Sequence, residues 1–336
     1  MSVSPLLSAC GLLVVLGNLV SIMSNSWMGV WLGMELNLFG FLIMMNPEGC
    51  CVAQGSIKYF IAQSIGSMLM LFGFFCVSQM FNSVGSLILV GGILLKAGVF
   101  PFHSWVPDVV IVSNWFIGCM ILTWQKLAPF SLFSFFPSSW VLVMSLIFMS
   151  LVGCFGGLNQ HSVRGMAVYS SFVHNSWLIL SLFYSFGVFF IYYLVYSLSV
   201  LMFFLSCWVV SKSSLMSYSV SWLGMLSLLM LSGVPPFMGF FVKLIVMLSC
   251  PSILLIICLG GSIVSLKFYI SFFYSMILNS MEKYSYFQLE SSFLVYIFCS
   301  MNFVVGVSSL LFFMWCGIGF CVVKGLKITI LEMKSF

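Results

Sequence analysis

The chain is 336 residues long, 62% of them hydrophobic and only 5% charged, with a mean hydropathy of +1.23. A soluble domain carries roughly 25% charged residues to face water, so the composition excludes a water-soluble globule and leaves lipid as the solvent. The net charge of +5 comes from 11 Lys and Arg against 6 Asp and Glu, scattered singly, which excludes the basic clusters that nucleic acid requires.

A membrane-crossing helix needs about 20 mostly apolar residues. With polar and Pro-, Gly- or Asn-rich breaks taken as ends, the sequence predicts eleven spans, at 5–23, 27–45, 58–80, 83–101, 113–136, 139–157, 164–184, 187–210, 219–248, 252–278 and 296–323. The first lacks a basic leader and is long enough to cross, so it reads as a membrane helix rather than a secretory signal. The longest connections are 46–57 and 279–292, too short for a soluble insert. The expected architecture is one all-α polytopic membrane domain over 1–336.

Lys and Arg gather on the side of a membrane protein that faces the more negative compartment. Lys58, Arg164, Lys212 and Lys283 fall at span ends on the N-terminal side, while the opposite loops carry no charge. The N-terminus is therefore expected on the negative side. Lys324, Lys327 and Lys334 of the tail run against the rule and read as a solvated segment interrupted by Glu332. The 12 Cys show no metal-ligand or disulfide spacing, and Cys76, Cys119, Cys154 and Cys207 sit singly in apolar runs as small hydrophobes. Cys50 and Cys51 read as a loop pair, and no metal site is expected.

Two spans are interrupted in a related way: Gly98-Val99-Phe100-Pro101 closes the fourth and Gly233-Val234-Pro235-Pro236 divides the ninth. Each is the fourth of a set of five, and Lys96 precedes its break while Lys243 follows the other. A set of five is odd, so a second set would be inverted, as in transporters whose pathways lie at paired broken helices. The expected sets are 5–136 and 139–278, with 279–336 as a last helix and tail.

Four charged residues fall inside the spans: Glu35 in WLGMELNLFG, Lys96 in GGILLKAGVFP, Lys126 in ILTWQKLAP and Lys243 in MGFFVKLIV. Each would cost about 2.5–3.5 kcal/mol at a helix centre, and together on the order of 10 kcal/mol, unless ion pairs, hydrated cavities or neutralisation offset it. Structural pairing and, for Lys126, reach toward an interface are the plain alternatives. A buried lysine beside a changing charge can take up or release a proton, and helices broken at Pro leave backbone groups and room for water. The four together therefore resemble a proton relay. Pro129 is expected to distort the turn that follows Lys126. His174, with Ser170, Ser171 and Asn175 within about one turn, and Lys267 in SLKFYI are further candidates. Glu48, Asp108, Glu282 and Glu290 fall in expected loops and read as solvated. No dinucleotide, Walker, haem or iron–sulfur motif occurs, so no redox cofactor is expected in this chain.

Several stretches then match a known family in order: WLGMELNLFG at 31–40, KYFIAQSIG at 58–66, LKAGVFPFHSWVP at 95–107, LTWQKLAP at 122–129, GGLNQ at 156–160, AVYSSFVHNSW at 167–177 and LSGVPPFMGFFVK at 231–243. On these the chain resembles the subunit 2 family of mitochondrial NADH dehydrogenase, membrane subunits of respiratory complex I related to cation/proton antiporters. The resemblance implies two inverted five-helix repeats and a proton pathway at Glu35, Lys96, Lys126 and Lys243, with His174 a polar position on the same axis. It implies a multi-pass protein of the mitochondrial inner membrane with its N-terminus in the matrix. Its partners would be other complex I subunits, including neighbouring antiporter-like and small membrane subunits, together with membrane lipids. NADH, FMN, iron–sulfur clusters and ubiquinone would belong to those other subunits, with proton translocation coupled to their redox chemistry. Lys267 stands where the family pattern is apolar, and in GGLNQHSVRG no basic residue follows Arg164. A stand-alone cation/proton antiporter and a non-conducting scaffold subunit remain open on the residues alone.

Overall fold

The computed structural model describes residues 5–45, 50–79, 82–136, 140–212, 218–235, 237–249 and 253–281. They form thirteen helices: α1 (Pro5–Met23), α2 (Trp27–Met45), α3 (Cys50–Ser78), α4 (Asn82–Ala97), α5 (Trp105–Val112), α6 (Trp115–Leu122), α7 (Trp124–Phe133), α8 (Trp140–Leu158), α9 (Val163–Tyr184), α10 (Phe186–Lys212), α11 (Tyr218–Ser232), α12 (Met238–Ser249) and α13 (Ile253–Met281). Six helical stretches are long and apolar enough to cross a membrane, and four more apolar ones are shorter. The all-α membrane reading therefore holds over the described residues. The span expected at 296–323 and the tail lie outside them, as do Glu48, Glu282, Lys283 and Glu290.

The apolar helices pack as antiparallel neighbours, with α1 on α2, α3 on α4 and α8 on α9. Leu, Ile, Val, Phe and Met point outward as well as inward, as they do when the surroundings are lipid. Helix α9 is the axis of the bundle. Its residues from Gly165 to Leu182 are almost all buried, and α5, α6, α7, α8, α10, α12 and α13 all touch it. The Ser162 hydroxyl starts it by accepting the Gly165 N–H at 3.1 Å.

Three crossings are broken, two of them at the expected Gly98 and Gly233 interruptions, while several helix bounds differ from the expected spans. The stretch after Pro101 is not a plain connection, because α5 resumes the helix at Trp105, with Pro107 in its first turn where a missing N–H costs nothing. The break is closed at Gly98, whose φ is +64°. Its N–H bonds to the Leu95 carbonyl at 3.2 Å and that of Val99 to the Leu94 carbonyl at 3.0 Å, a left-handed helix terminus. The fifth span divides at Thr123, ahead of Lys126, whereas the turn from Lys126 to Pro129, the expected place of distortion, lies inside α7. Thr123 has φ −116° and ψ −85°, well outside the helical basin. The third span starts at Cys50, so most of the expected 46–57 connection is helix. Asp108 is likewise in the first turn of α5, not in a loop, and meets Lys58 at 2.6 Å. Both are about half exposed (54% and 53%), so this pair contributes at most about 1 kcal/mol.

The α11–α12 break turns at Gly233, with φ +73°. A Cβ there would also stand 2.8 Å from the Lys243 ammonium. Gly233→Ala is expected to cost at least about 1–2 kcal/mol, because a non-glycine residue resists the left-handed conformation. Gly91→Ala, in a helix and with open space around it, is expected to be neutral or stabilising. Thermal denaturation in detergent distinguishes them; equal midpoints would refute the constraint at Gly233.

Candidate proton axis

Each broken or bent segment presents a charged or polar side chain to the middle of the bundle. Glu35 on α2 and Lys96 on the last turn of α4 form an ion pair at 3.4 Å, with their side chains 17% and 3% exposed. Gly66 on α3 makes room for the lysine stem, since a Cβ there would lie 2.8 Å from Lys96 Cγ. Gln63, one turn earlier on α3, donates to the Lys96 carbonyl at 3.2 Å, a group the helix break leaves without its own partner. A buried pair of this kind holds both charges at a cost that neither could bear alone.

Lys126 is buried at 3% exposure, which removes the interfacial alternative for it. Its ammonium donates to Asn175 Oδ1 at 3.0 Å and to the Tyr196 hydroxyl at 3.5 Å, and lies 5.5 Å from the centre of the Tyr196 ring. Two tyrosines of α10 seal the break beside it: Tyr196 donates to the Leu122 carbonyl at 3.1 Å and Tyr193 to that of Thr123 at 3.0 Å. His174 follows on α9. Its Nδ1 lies 2.9 Å from the Tyr192 hydroxyl and its Nε2 3.5 Å from that of Tyr269, and its ring packs 5.0 Å from the Tyr196 ring. Lys126 and Lys243 both lie close enough to act electrostatically on this imidazole. Lys243, 7% exposed, donates to the Ser232 carbonyl at 2.9 Å, another acceptor freed by a helix break.

Glu35, Lys96, Lys126, His174 and Lys243 are thus all turned into the bundle, with Lys126, His174 and Lys243 grouped around α9. Lys267 is not among them. It lies on the exposed face of α13. The neighbouring Phe268 ring fills the place a Cβ on Gly157 would take, and Gly157 is one residue from the end of α8. Lys267 is therefore level with a helix end, where a long side chain reaches the edge of the apolar layer.

The sequence reading left out a cluster of amides beside this axis. Asn37 Nδ2 donates to Asn18 Oδ1 at 3.0 Å and to Gln125 Oε1 at 2.7 Å, and Gln125 Nε2 returns a bond to Asn37 Oδ1 at 3.0 Å. Asn18 Nδ2 donates to the Trp124 carbonyl at 2.9 Å. These bonds tie α1 and α2 to the first turn of α7, between the residue that follows Glu35 by two and the residue before Lys126. The available signal was a lone Asn in each of two apolar runs. Among the described residues no group of three or more His, Cys, Asp or Glu could hold a metal.

Truncating one amide of this cluster strands its partners in an apolar layer, at about 1–3 kcal/mol. Asn37→Leu and Gln125→Leu are each expected to destabilise the protein by that amount, and the double variant by clearly less than their sum. Additive losses in thermal denaturation would contradict the coupling.

Comparison with known proteins shows what the chain is similar to. The family model described as NADH:quinone oxidoreductase/Mrp antiporter, transmembrane, matches residues 24–266. A protein from Mytilus edulis named NADH-ubiquinone oxidoreductase chain 2 is 46% identical over 80% of this chain and 85% of its own length. One of the same name from Anopheles gambiae is 31% identical over 88% of this chain and 95% of its own. A chain of respiratory complex I from Thermus thermophilus superposes with a TM-score of 0.73 at 19% identity, covering 81% of this chain and 70% of that one, which is a likeness of fold. With the family model matching residues 24–266 and a relative 46% identical over 80% of its length, the chain belongs to the NADH:quinone oxidoreductase/Mrp antiporter family of transmembrane proteins.

Proposed function

We propose that this chain is the proton-translocating membrane subunit of a respiratory NADH:ubiquinone oxidoreductase of the mitochondrial inner membrane. The observation that carries the reading is the set of buried ionisable side chains, the Glu35–Lys96 pair, Lys126, His174 and Lys243. Redox chemistry with NADH, FMN, iron–sulfur clusters and ubiquinone falls to partner subunits. The names of the relatives support that assignment.

In this mechanism a charge change in a neighbouring subunit acts on Glu35 and weakens its hold on Lys96. The proton released from Lys96 moves toward Lys126, whose helix α7 packs on α4. Lys126 is held by Asn175 and Tyr196, and the route continues from it toward His174, whose ring packs against that of Tyr196. An imidazole whose two nitrogens face separate hydroxyls can accept a proton on one side and release it on the other. Asn175 Nδ2, buried without a protein acceptor, offers a donor to a relay water. Lys243 completes the route. The residues 5–136 and 139–278 act as two inverted repeats, the first with broken crossings at Lys96 and Lys126 and the second with one at Lys243. The positive side chains Lys58 and Arg164 at the end where α1 begins support an N-terminus in the matrix.

Lys96→Met is expected to abolish or sharply reduce the proton-to-electron ratio of reconstituted enzyme, whereas Lys267→Met leaves it unchanged. An unaltered ratio in the Lys96 variant would remove that residue from the route. Separation of native complexes from mild detergent, with mass spectrometry, tests the assignment itself. Co-migration with a large NADH-oxidising particle is the expected result. Migration alone would instead favour an antiporter acting by itself.

A further inference from the structure

Where α6 and α10 meet, a cleft of about 290 Å³ opens sideways onto the outer face of the bundle. Its walls are apolar and include Trp115, Phe116, Met120, Leu201, Leu205 and Trp208. Phe116, Leu201, Leu205 and Trp208 stay more than 40% exposed, although each is a large apolar side chain. From Leu201 to Trp208 the cleft follows α10 for about 10 Å.

One end of the cleft lies where α6 begins and α10 ends, at the membrane surface, and Arg164 stands there. Its guanidinium carbon is 4.4 Å from the centre of the Trp115 ring, and Nη1 donates to the Ile111 carbonyl at 2.8 Å. Cys207, adjacent to Trp208, lies close enough to feel its charge, which ties Arg164 to the second wall as well. The ring and the carbonyl hold the guanidinium plane in position. A guanidinium has five N–H donors, and no carboxylate among the described residues pairs with Arg164. Asp108, the acid on this side among the described residues, is taken by Lys58 at 2.6 Å.

A fixed cation at the surface, two tryptophans at the same level and an apolar slot leading inward make up the outline of one lipid molecule. We propose that this cleft is a binding site for an anionic phospholipid, with its phosphate on Arg164 and one acyl chain between α6 and α10. Planar guanidinium groups suit the bidentate geometry of phosphate, and the unpaired positive charge favours a lipid with net negative charge. A partner helix is about 10–12 Å across with its side chains, too wide for a cleft of this volume, whereas a single alkyl chain fits it.

The test uses the intact membrane complex in nanodiscs, with phosphatidylglycerol carrying a photoactivatable diazirine in its acyl chain. After illumination, labelled peptides are mapped by mass spectrometry. The expected result is labelling within 115–120 and 201–208, at least fivefold above that from a phosphatidylcholine probe with the same chain. Arg164→Gln should abolish the preference and Arg164→Lys retain most of it, while Leu205→Trp, which fills the slot, should lower labelling by both lipids. Equal labelling of the unaltered protein by the two probes would overturn the anionic site. Absence of label from the cleft in intact complex would show that a partner segment occupies it, and would overturn the proposal as well. The comparison of the two lipids needs no variant, so an unstable Arg164 substitution does not spoil it.

Discussion

Hydrocarbon satisfies neither a charge nor a backbone carbonyl, so any polar group in the middle of this protein must be answered by another part of it. That constraint accounts for the way broken helices and buried side chains occur together. Each break frees carbonyls, and at every break a side-chain donor meets at least one of them: Gln63 at Lys96, Tyr196 and Tyr193 at Leu122 and Thr123, Lys243 at Ser232. Lys243 is tolerated because its break supplies an acceptor, Lys126 because Asn175 and Tyr196 do, and Lys96 because Glu35 supplies a countercharge. An apolar residue in place of Lys243 would leave the Ser232 carbonyl stranded, and a straight helix there would leave the lysine stranded.

The same arrangement explains why α9 carries so few charges yet sits at the centre. It faces seven other helices, and its small hydroxyl residues return their bonds to their own helix, as Ser170 does to the Ala167 carbonyl at 2.8 Å and Ser171 to that of Val168 at 2.7 Å. That leaves Asn175 and His174 as the groups that reach outward, toward Lys126 on one side and the tyrosines of α10 and α13 on the other. Polar groups in a low-dielectric interior interact more strongly than in water, so a proton shift at one member is felt by its neighbours. The amide cluster of Asn18, Asn37 and Gln125 carries no titratable group. Its role in the bundle is positional: it anchors the start of α7 and hence the Lys126 side chain.

Much of this was legible beforehand at the level of residue type. Glu35, Lys96, Lys126 and Lys243 stand out in apolar runs because their burial is costly, and the two Gly-Pro breaks stand out because few residues adopt the conformations they require. The partners were harder to see. Tyr192, Tyr196 and Tyr269 resemble any aromatic residue of an apolar helix, and a hydroxyl's use depends on what lies opposite it. Asn37 was visible but lay two positions from Glu35, on a different side of the helix, so its bond to Gln125 follows only from the folded arrangement that brings the two amides together. Lys267 looked like a fifth intramembrane charge, because depth in the membrane cannot be read from position within a long apolar stretch. Helix α13 runs past the end of α8, and the lysine is level with that end.

By itself the sequence determined the solvent, the helical class, most of the span positions and the few residues too polar for an apolar layer, because each of these follows from local composition against the cost of transfer into lipid. Only the tertiary structure decided which of those residues meet. It paired Glu35 with Lys96, set Lys126 against Asn175, resumed a helix after Pro101 and placed Lys267 outside the axis. These outcomes rest on contacts between segments distant in the chain, where geometry rather than composition assigns each donor its acceptor.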